Sequence, residues 1–423
     1  MAGRPRAHSR RHHLRGFGYF RALGPGLVTG ASDDDPSGIG TYSQVGAAFG
    51  FGLLWTTWFT LPLAAAVQET AGRLGLVTGR GLASLIKERF PRWVLIGAVV
   101  LVSVANTFNI GADIGSMGSA LQLVLPIPFA VLVVAITLGM LALEVFLPYR
   151  RYTKVLRWLT LSLGAYIAVL FVIDVDWRVV LRSTFIPSLS WTPAELAALI
   201  AILGTTISPY LFFWQTSEEV EELTKSGETS DVDPGHMRHM RADIFAGMGS
   251  AVLVMFAIMV ASAATLGSAG ITTVKTAAEA AAALKPLAGS FASLLFTLGI
   301  VGTGLLAVPV LAGSTAYAIT EAVGQPEGLG RSVGRARVFY GVIAAAMLLG
   351  LGMDFVGLDP VRALYFAAIL NGLAAPPLIL LMLLLSRTRD VCGDQTGGRL
   401  STAFVVVALV LMTALPLIYL LVR

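Results

Sequence analysis

The sequence predicts an all-α polytopic membrane protein with about eleven transmembrane helices. Three observations support this prediction. Hydrophobic residues occupy 56% of the 423 positions and charged residues only 13%, whereas soluble globular proteins carry about 25% charged residues. Apolar runs long enough to span a bilayer recur along the chain. The cations are concentrated in short segments between these runs, as expected for cytoplasmic loops.

The same composition excludes several classes of protein. A soluble enzyme or a disordered protein would need a much larger polar fraction. The net charge of +5 does not indicate a nucleic-acid partner, because the cations are spread over separate short segments. Cys392 is the single cysteine, which excludes a disulfide framework and a cysteine-built metal cluster. The partner that the composition indicates is the lipid bilayer.

Each predicted span was identified as a run of about 20 predominantly apolar residues. The predicted spans are residues 20–48, 51–74, 93–117, 128–147, 156–173, 196–215, 244–266, 291–320, 338–351, 363–385 and 402–421. The ninth span is short and the eighth is long.

Lysine and arginine residues predict the orientation of these spans. They cluster in the N-terminal basic arm and then in alternate connections, at 1–19, 80–92, 150–157, 217–243, 321–337 and 386–399. Short cytoplasmic loops carry the excess of cations in membrane proteins. We therefore expect a multi-pass protein of the cell membrane, with the N-terminus in the cytoplasm and the C-terminus outside.

The first span is interrupted in its middle by Ala31-Ser32-Asp33-Asp34-Asp35-Pro36-Ser37-Gly38. Carboxylates at membrane depth are costly and tend to mark ion or substrate paths. Proline lacks a backbone donor and glycine weakens a helix, so we expect unwound backbone here. Such backbone is tolerated in a membrane where it lines a cavity or is buried in protein. The alternative is a loop between two shorter segments, but each half is too short to span alone.

The sixth span contains a similar break, Gly204-Thr205-Thr206-Ile207-Ser208-Pro209-Tyr210. Taken alone, it is also compatible with an ordinary proline kink whose hydroxyls bond to the preceding turn. Spans one and six, however, hold corresponding places in two five-helix halves, residues 20–175 and 195–385, which an eleventh helix follows at 400–423. Paired interrupted helices in corresponding positions point to a transporter site between inverted repeats.

The residues at these two breaks resemble the NRAMP family of divalent-metal transporters. Gly24-Pro25-Gly26 followed by Asp35-Pro36-Ser37-Gly38 is similar to the family's first-helix signature, Gly-Pro-Gly followed by Asp-Pro-Gly-Asn. The segment from Leu203 to Tyr210 is similar to its sixth-helix signature, which ends Met-Pro-His, and Gly75-Leu76-Val77-Thr78-Gly79-Arg80 matches the segment after its second helix. The resemblance implies a LeuT-type 5+5 inverted repeat with broken helices 1 and 6, and transport by alternating access.

The resemblance makes Asp35 the central metal ligand, but three positions depart from the family pattern. Gly38 stands in the place of Asn, Ser208 of Met and Tyr210 of His, which is similar to the NRAMP-related magnesium transporters. A thioether favours transition metals, so Ser208 removes that preference, and Gly38 removes a ligand and widens the site. Mg²⁺ is usually held by one or two carboxylates and several retained waters. We therefore expect hydrated Mg²⁺ to be transported, together with Mn²⁺, which accepts the same oxygen ligands.

The remaining polar residues of the breaks and of the tenth span are each compatible with more than one role. Thr205 stands where the family provides a backbone carbonyl, so its side chain need not bind the ion. Either Asp33 or Asp34 joins the site or caps the second half-helix. Asn371 bonds either a water on the ion or a neighbouring helix. The predicted metal-site residues are Asp35, Gly38, Thr205, Ser208, Tyr210 and Asn371, with Asp34 as a further candidate.

Obligatory proton coupling is not expected from this sequence. No histidine lies in a predicted span, and neutral Asn109 stands near the third-helix position where the resemblance places an acid. Asp113 and Glu69 remain candidates for a proton relay. The glutamates at 218, 219, 221 and 222 follow the sixth break, where they either attract cations or form a solvated helix end.

We therefore predict a transporter of Mg²⁺ and Mn²⁺ that is not an enzyme and needs no cofactor. The nearest alternative is a proton-coupled Mn²⁺/Fe²⁺ importer of the ordinary NRAMP type, which the missing Met and His disfavour. A Na⁺-coupled amino-acid symporter is less favoured, because a carboxylate-lined break suits an organic anion poorly. A membrane receptor or scaffold would leave both polar breaks unexplained.

Overall fold

The computed structural model describes residues 29–30, 32–146, 161–226 and 234–422, and the secondary structure in these ranges is helical. The α-helices are α1 (Pro36–Phe49), α2 (Trp55–Thr78), α3 (Leu82–Arg89), α4 (Arg92–Leu121), α5 (Phe129–Phe146), α6 (Gly164–Val169), α7 (Trp177–Phe185), α8 (Pro193–Thr206), α9 (Pro209–Ser226), α10 (Pro234–Ser262), α11 (Ala277–Ala282), α12 (Lys285–Ala288), α13 (Ala292–Val323), α14 (Arg337–Met353), α15 (Pro360–Arg387), α16 (Arg389–Cys392) and α17 (Arg399–Val422). Short 3₁₀ helices cover Leu161–Leu163 and Gly289–Phe291, and a π-helical turn, Ala263–Gly267, follows α10. The predicted basic arm, the Gly24-Pro25-Gly26 motif and the connection between the fourth and fifth spans lie outside the described residues.

Seven of the described helical segments are long and apolar enough to cross a membrane. They are Arg92–Leu121, Phe129–Phe146, Pro193–Thr224, Gly235–Gly267, Lys285–Val323, Pro360–Arg387 and Arg399–Val422. The ninth predicted span, α14, is apolar but shorter, as the sequence indicated. The second, α2, has sufficient length, but it carries Gln68, Glu69 and Arg73, all of them buried inside the protein. The first and fifth predicted spans extend into residues outside the described ranges.

Both predicted breaks are present, and in each of them a proline begins the second half-helix. Pro36 is the first residue of α1, and Pro209 is the first residue of α9. Proline suits the first helical position, because an N–H there would lack an intrahelical partner and its fixed φ fits the helix. Between α8 and α9 the chain leaves helical geometry at Ile207, with φ −119° and ψ 59°. The sixth span is therefore two half-helices, and an ordinary proline kink is excluded.

Glycine residues bring the helices around the breaks into close contact. Gly204 near the end of α8 lies against the backbone of Ala368 and Gly372 of α15, where a Cβ atom would not fit. Gly304 of α13 lies against the side chain of Met117 of α4. Small residues permit such close approach between helices in a membrane. This packing places the middle of α15, including the residue before Gly372, beside the sixth break.

Candidate metal centre

Asp35 lies at the first break, where its side chain caps α1. Its Oδ1 accepts hydrogen bonds from the backbone N–H of Gly38 at 2.7 Å and from the hydroxyl of Ser37 at 2.6 Å. Its Oδ2 accepts a hydrogen bond from Nδ2 of Asn109, on α4, at 2.9 Å. Three donors thus hold the carboxylate in one orientation and offset the cost of its burial, since Asp35 is only 1% exposed.

Asp33 and Asp34 are buried just before this cap. Neither of them caps α1, because Asp35 itself is the N-cap residue. Both carboxylate oxygens of Asp33 and Oδ1 of Asp34 lack a hydrogen-bond partner among the described residues. Buried polar atoms normally have a partner. Of the two roles that the sequence left open, capping is therefore wrong, and the unpartnered oxygens are available to an ion or its waters.

The sixth break contributes hydroxyl groups and backbone carbonyls. Ser208 donates its hydroxyl hydrogen to the carbonyl oxygens of Gly204 and Thr205, both at 2.8 Å. The lone pairs of the Ser208 hydroxyl remain available to a cation. Oγ1 of Thr205 lies 3.4 Å from Oγ of Ser37. The side chains of the two breaks therefore meet directly beside Asp35.

Tyr210 joins the two breaks through its side chain. Its hydroxyl donates a hydrogen bond to the carbonyl oxygen of Ser32 at 2.8 Å, and its own carbonyl accepts one from Ser314 of α13 at 2.8 Å. The hydroxyl hydrogen of this buried tyrosine is thus already used within the protein. The contact positions the backbone of the first break against α9.

Gly38 lies where the first break, α8 and α1 come together. A Cβ atom at this position would lie 3.1 Å from the carbonyl oxygen of Asp33, and 3.4 Å from both Oγ1 of Thr205 and Cε2 of Tyr42. These distances are short enough that a larger residue would push the neighbouring atoms by a few tenths of an ångström. Glycine thus lets the backbone carbonyl of Asp33 approach α1 closely.

Asn371 lies on α15 directly before Gly372, whose contact with Gly204 places it near the sixth break. The side chain is buried, and neither its Oδ1 nor its Nδ2 has a hydrogen-bond partner in the part of the chain that the structure describes. The interhelical hydrogen bond that the sequence offered as an alternative is therefore not formed there. The amide remains available to a ligand.

Two residues of α4, Asn109 and Asp113, lie near Asp35. The sequence predicts no role at this centre for Asn109, and it makes Asp113 a candidate for a proton relay. Both are buried on α4, and Asp113 lies close enough to Asp35 and to the Ser37 amide to interact with them electrostatically. Neither oxygen of Asp113 has a well-formed hydrogen bond within the described ranges. The spacing of four residues was the available signal, because it places Asn109 and Asp113 on the same helix face.

The centre offers hard oxygen ligands to a cation. Among the described residues no three histidine, cysteine, aspartate or glutamate side chains converge on one point. The two breaks provide the Asp35 carboxylate, the Ser208 hydroxyl and the carbonyls of the unwound turn, all of them oxygen donors. Such oxygen donors suit Mg²⁺ and Mn²⁺ and lack the softness that selects for thiophilic metals.

Mostly apolar residues of α1, α11, α13 and α15 line a small gap beside the first break. The gap has a volume of about 20 Å³, and its lining includes Ile39, Ser116 and Leu364. Gln44 of α1 is hydrogen-bonded to the connection that leads to α11. Its Nε2 donates to the carbonyl of Thr272 at 3.0 Å, and its Oε1 accepts from the N–H of Val274 at 2.8 Å. Asp35 and Ser208 are at most 2% exposed, so the metal centre itself is enclosed in this structure.

Glu69 belongs to a separate ion-pair network. Its Oε1 lies 3.3 Å from Nε of Arg73 and 3.0 Å from Nη2 of Arg241, and its Oε2 accepts a hydrogen bond from Ser401 at 2.8 Å. Two guanidinium groups therefore balance this carboxylate. These contacts give no support to a relay between Glu69 and Asp113.

Glu221, one of the glutamates that follow the sixth break, lines a cavity of about 270 Å³. Glu221 accepts hydrogen bonds from the hydroxyl of Tyr317 at 2.5 Å and from the N–H of Leu329 at 2.8 Å. Its side chain lines the cavity together with Glu321 and Glu327. Glu221 thus bonds α9 to α13 and to the segment after it, whereas Glu222 is exposed, as in a solvated helix end.

The model of the family described as natural resistance-associated macrophage protein-like, Nramp, matches residues 26–422. The chain belongs to the Nramp family. A divalent metal cation transporter, MntH, of Caldanaerobacter subterraneus is 26% identical to this Nramp protein over 406 residues, which are 92% of this chain and 91% of the relative. The resemblance seen at the breaks is therefore confirmed over nearly the whole chain.

Solved structures confirm the fold of this Nramp protein. A manganese transporter of Eremococcus coleocola has a TM-score of 0.75 at 20% identity, over 96% of this chain and 87% of that one. The inward-facing structure of Mhp1 has a TM-score of 0.56 at 12% identity, over 95% and 91% of the two chains. Both neighbours are LeuT-fold transporters. The predicted all-α LeuT-type architecture with broken helices 1 and 6 is thus confirmed.

Proposed function

We propose that this Nramp protein carries hydrated Mg²⁺, as well as Mn²⁺, across the cell membrane by alternating access at its two broken helices. The relatives named MntH are divalent metal cation transporters, and the structural neighbour from Eremococcus coleocola is a manganese transporter. These relatives support transport of divalent cations and give no reason to expect an enzyme. The proposal for Mg²⁺ is based on the ligands of the metal centre.

The strongest support is the surplus of unpartnered hydrogen-bond acceptors in the first break and on the helices α4 and α15 that pack around the two breaks. They are side-chain oxygens of Asp33, Asp34, Asn109, Asp113 and Asn371. Mg²⁺ dehydrates reluctantly and usually keeps several waters when it binds to a protein. Each of those waters directs hydrogens outward and needs acceptors around it. Several buried acceptors without a partner therefore fit a hydrated cation better than a bare one.

The side chains that replace the family's ligands at the two breaks also favour Mg²⁺. Ser208 presents a hydroxyl oxygen where the family pattern has a thioether, and Gly38 presents no side chain where the family has an amide. A thioether would stabilise transition metals selectively. Without it, the centre discriminates less strongly against Mg²⁺.

We also propose that transport is not obligatorily coupled to protons. Asn109, which contacts Asp35, is neutral, and Glu69 is balanced by arginines. An uncoupled divalent ion gains about 4.6 kcal/mol from an inside-negative potential of roughly 100 mV, at about 2.3 kcal/mol per unit charge. At about 1.4 kcal/mol per decade, this sustains a gradient of roughly three orders of magnitude.

A proton-coupled Mn²⁺/Fe²⁺ importer is the second candidate function. The observation that favours it is the position of Asp113, whose buried carboxyl group lies near Asp35 and has no well-formed hydrogen bond. Such a group can accept a proton when a cation enters or leaves the centre. The two candidates differ in whether a proton crosses the membrane with the metal.

Liposomes that contain the purified protein and an internal pH dye separate the two candidates. Mg²⁺, Mn²⁺ and Ca²⁺ are supplied in turn at a clamped, inside-negative potential. We expect Mg²⁺ and Mn²⁺ to enter without acidification of the lumen. Stoichiometric acidification that disappears in Asp113→Asn would support the second candidate, whereas Asp359→Asn, at an exposed helix cap, is the matched control. Entry of Mn²⁺ without entry of Mg²⁺ would contradict the proposal for Mg²⁺.

The orientation and the division of the chain complete the proposal. We place the N-terminus in the cytoplasm and the C-terminus outside, because the cationic segments alternate along the chain. Residues 20–175 and 195–385 form the two repeats, 400–423 the eleventh helix, and 1–19 the cytoplasmic arm. In this orientation the apolar gap faces the outside, and the acidic cavity faces the cytoplasm.

A further inference from the structure

Asn109 is the side chain of α4 that reaches Asp35. Its Nδ2 donates to Oδ2 of Asp35 at 2.9 Å, whereas its Oδ1 has no hydrogen-bond partner within the described residues. The residue is 0% exposed. A buried amide oxygen without a partner costs free energy. Beside Asp35, that oxygen is available to something that the protein itself does not supply.

The hydrogen bonds to Asp35 limit the ways in which its carboxylate can meet a cation. Each carboxylate oxygen has about two lone-pair sites. Ser37 and Gly38 both donate to Oδ1, so that oxygen is fully used. Asn109 occupies one of the two sites of Oδ2. One lone-pair site of Oδ2 is left, and bidentate coordination of an ion by Asp35 is therefore blocked.

We propose that Asn109 is a specificity-determining residue of the metal centre: it restricts Asp35 to a single contact, and its Oδ1 accepts a hydrogen bond from a water that the cation carries. This inference rests on the proposed function. An ion that keeps its waters, such as Mg²⁺, is served by one carboxylate contact and a neutral acceptor for its hydration shell. An ion that exchanges waters for protein ligands more readily gains less from this arrangement.

Asn106 provides a matched control on the same helix. It lies three residues before Asn109 and is equally buried, and its Oδ1 is also unpartnered. Its Nδ2, however, donates to the carbonyl of Leu311 at 3.2 Å and to Oγ1 of Thr315 at 3.0 Å, both on α13. Asn106 therefore has the same chemistry as Asn109 without the contact with Asp35. A substitution there reports general damage to α4.

The test measures binding of Mn²⁺ to the purified full-length chain, and its displacement by Mg²⁺, in Asn109→Leu, Asn109→Ala and Asn106→Leu. Leucine removes both polar atoms at similar volume, and alanine removes them without adding bulk. In both Asn109 variants we expect the Mg²⁺ concentration for half-displacement to rise about tenfold relative to the Kd for Mn²⁺, the effect typical of losing a group that orients a ligand. Asn106→Leu should lower thermal stability and leave the Mg²⁺/Mn²⁺ ratio unchanged.

An unchanged ratio in folded Asn109→Ala protein would overturn the inference, and so would an equal change in Asn106→Leu. Failure of the proposed function is distinguished by the unaltered chain. If that chain binds neither Mg²⁺ nor Mn²⁺, or binds Mn²⁺ without displacement by Mg²⁺, the proposed function and the inference are both wrong. If the unaltered chain binds both ions and the Asn109 variants keep its ratio, the inference alone is wrong.

Discussion

The carboxylate of Asp35 has two roles. It is the N-cap of α1, and it is the acidic group at the meeting point of both breaks. The donors that hold it, including Asn109, lie on two different helices. The carboxylate is therefore oriented before an ion arrives, so binding need not order it. Substitutions at Asp35 must separate the loss of the cap from the loss of the ligand.

Asp35→Asn should reduce the flux of Mg²⁺ and Mn²⁺ by more than about tenfold, since even groups that only orient a ligand contribute this much to metal affinity. The asparagine oxygen can still accept from the Gly38 amide, so the cap persists. The new amide group faces Nδ2 of Asn109 and carries no charge for the ion. Flux in liposomes and thermal stability in detergent are both measured. Normal flux through correctly inserted Asp35→Asn protein would contradict the assignment, and Asp359→Asn controls for the loss of a capping charge.

Ser208→Met should increase the preference for Mn²⁺ over Mg²⁺ by about tenfold, or about 1.4 kcal/mol. The thioether adds a soft ligand, which favours the transition metal. It also removes the hydroxyl that bonds the carbonyls of Gly204 and Thr205. Competition of the two ions for uptake is the measurement. Combining this change with Gly38→Asn should increase the preference further, although the asparagine Cβ must displace the Asp33 carbonyl; an unaltered preference in Ser208→Met would contradict the role of the hydroxyl.

Asp354, in the connection after α14, should make the folded protein less stable as pH rises. Burial raises the pKa of its carboxyl group from its ordinary 3.8 to about 7. A group whose pKa is raised by folding favours the folded state most below its unfolded pKa, and this contribution is lost as pH rises to about 7. Asp354→Asn should therefore raise the Tm by a few degrees at pH 8 and have little effect at pH 4. Melting curves at both pH values test this, and a stabilisation that is equal at both would contradict it.

Half-helices and the connections attached to them are the elements that must move if the centre opens. The prolines at the starts of α1 and α9 leave the unwound turns free to change without breaking a continuous helix. Gln44, on α1, is bonded through both ends of its amide to the segment that leads to α11. The apolar gap lies beneath that segment. Movement of α1 away from this segment would therefore break two hydrogen bonds.

Gln44→Leu should make the apolar gap open more often. Two hydrogen bonds of about 1 kcal/mol each are lost, so opening should increase by about thirtyfold. A cysteine placed at Ser116, which lines the gap, reports opening through its rate of labelling by a polar thiol reagent. The background carries Cys392→Ala. Gln122→Leu removes a glutamine that bonds the carbonyl of Ile127 elsewhere and is the matched control; equal labelling in both variants would contradict the role of Gln44.

At the scale of the whole molecule, the sequence predicted the fold well because membrane spans depend on local features. Apolar length identifies a span, and proline with adjacent polar residues marks a break. The ends of α4 and α15 fall within a few residues of the predicted spans. The apolar run of the second span identifies it even though Gln68, Glu69 and Arg73 interrupt the run. These three polar side chains are buried inside the protein, so they do not face lipid.

The metal centre was predicted only in part, because its contacts join residues that are distant in the chain. Asp35 and Ser208 are recognisable from the polar residues around the prolines. The bond between Asp35 and Asn109 spans 74 positions and depends on how α1 packs against α4. The bond from Tyr210 to the carbonyl of Ser32 spans 178 positions. Neither follows from local pattern, and the choice of Asp35 as the cap required the backbone geometry of the break.

Competition between Mg²⁺ and Mn²⁺ for uptake shows directly whether the metal centre admits a hydrated divalent ion. Uptake of a trace amount of Mn²⁺ into liposomes is followed at a clamped potential while external Mg²⁺ is raised into the millimolar range. If the centre admits a hydrated ion, we expect Mg²⁺ to inhibit Mn²⁺ uptake progressively and to enter the liposomes itself. Mn²⁺ uptake that is unaffected by a large excess of Mg²⁺ would contradict this expectation.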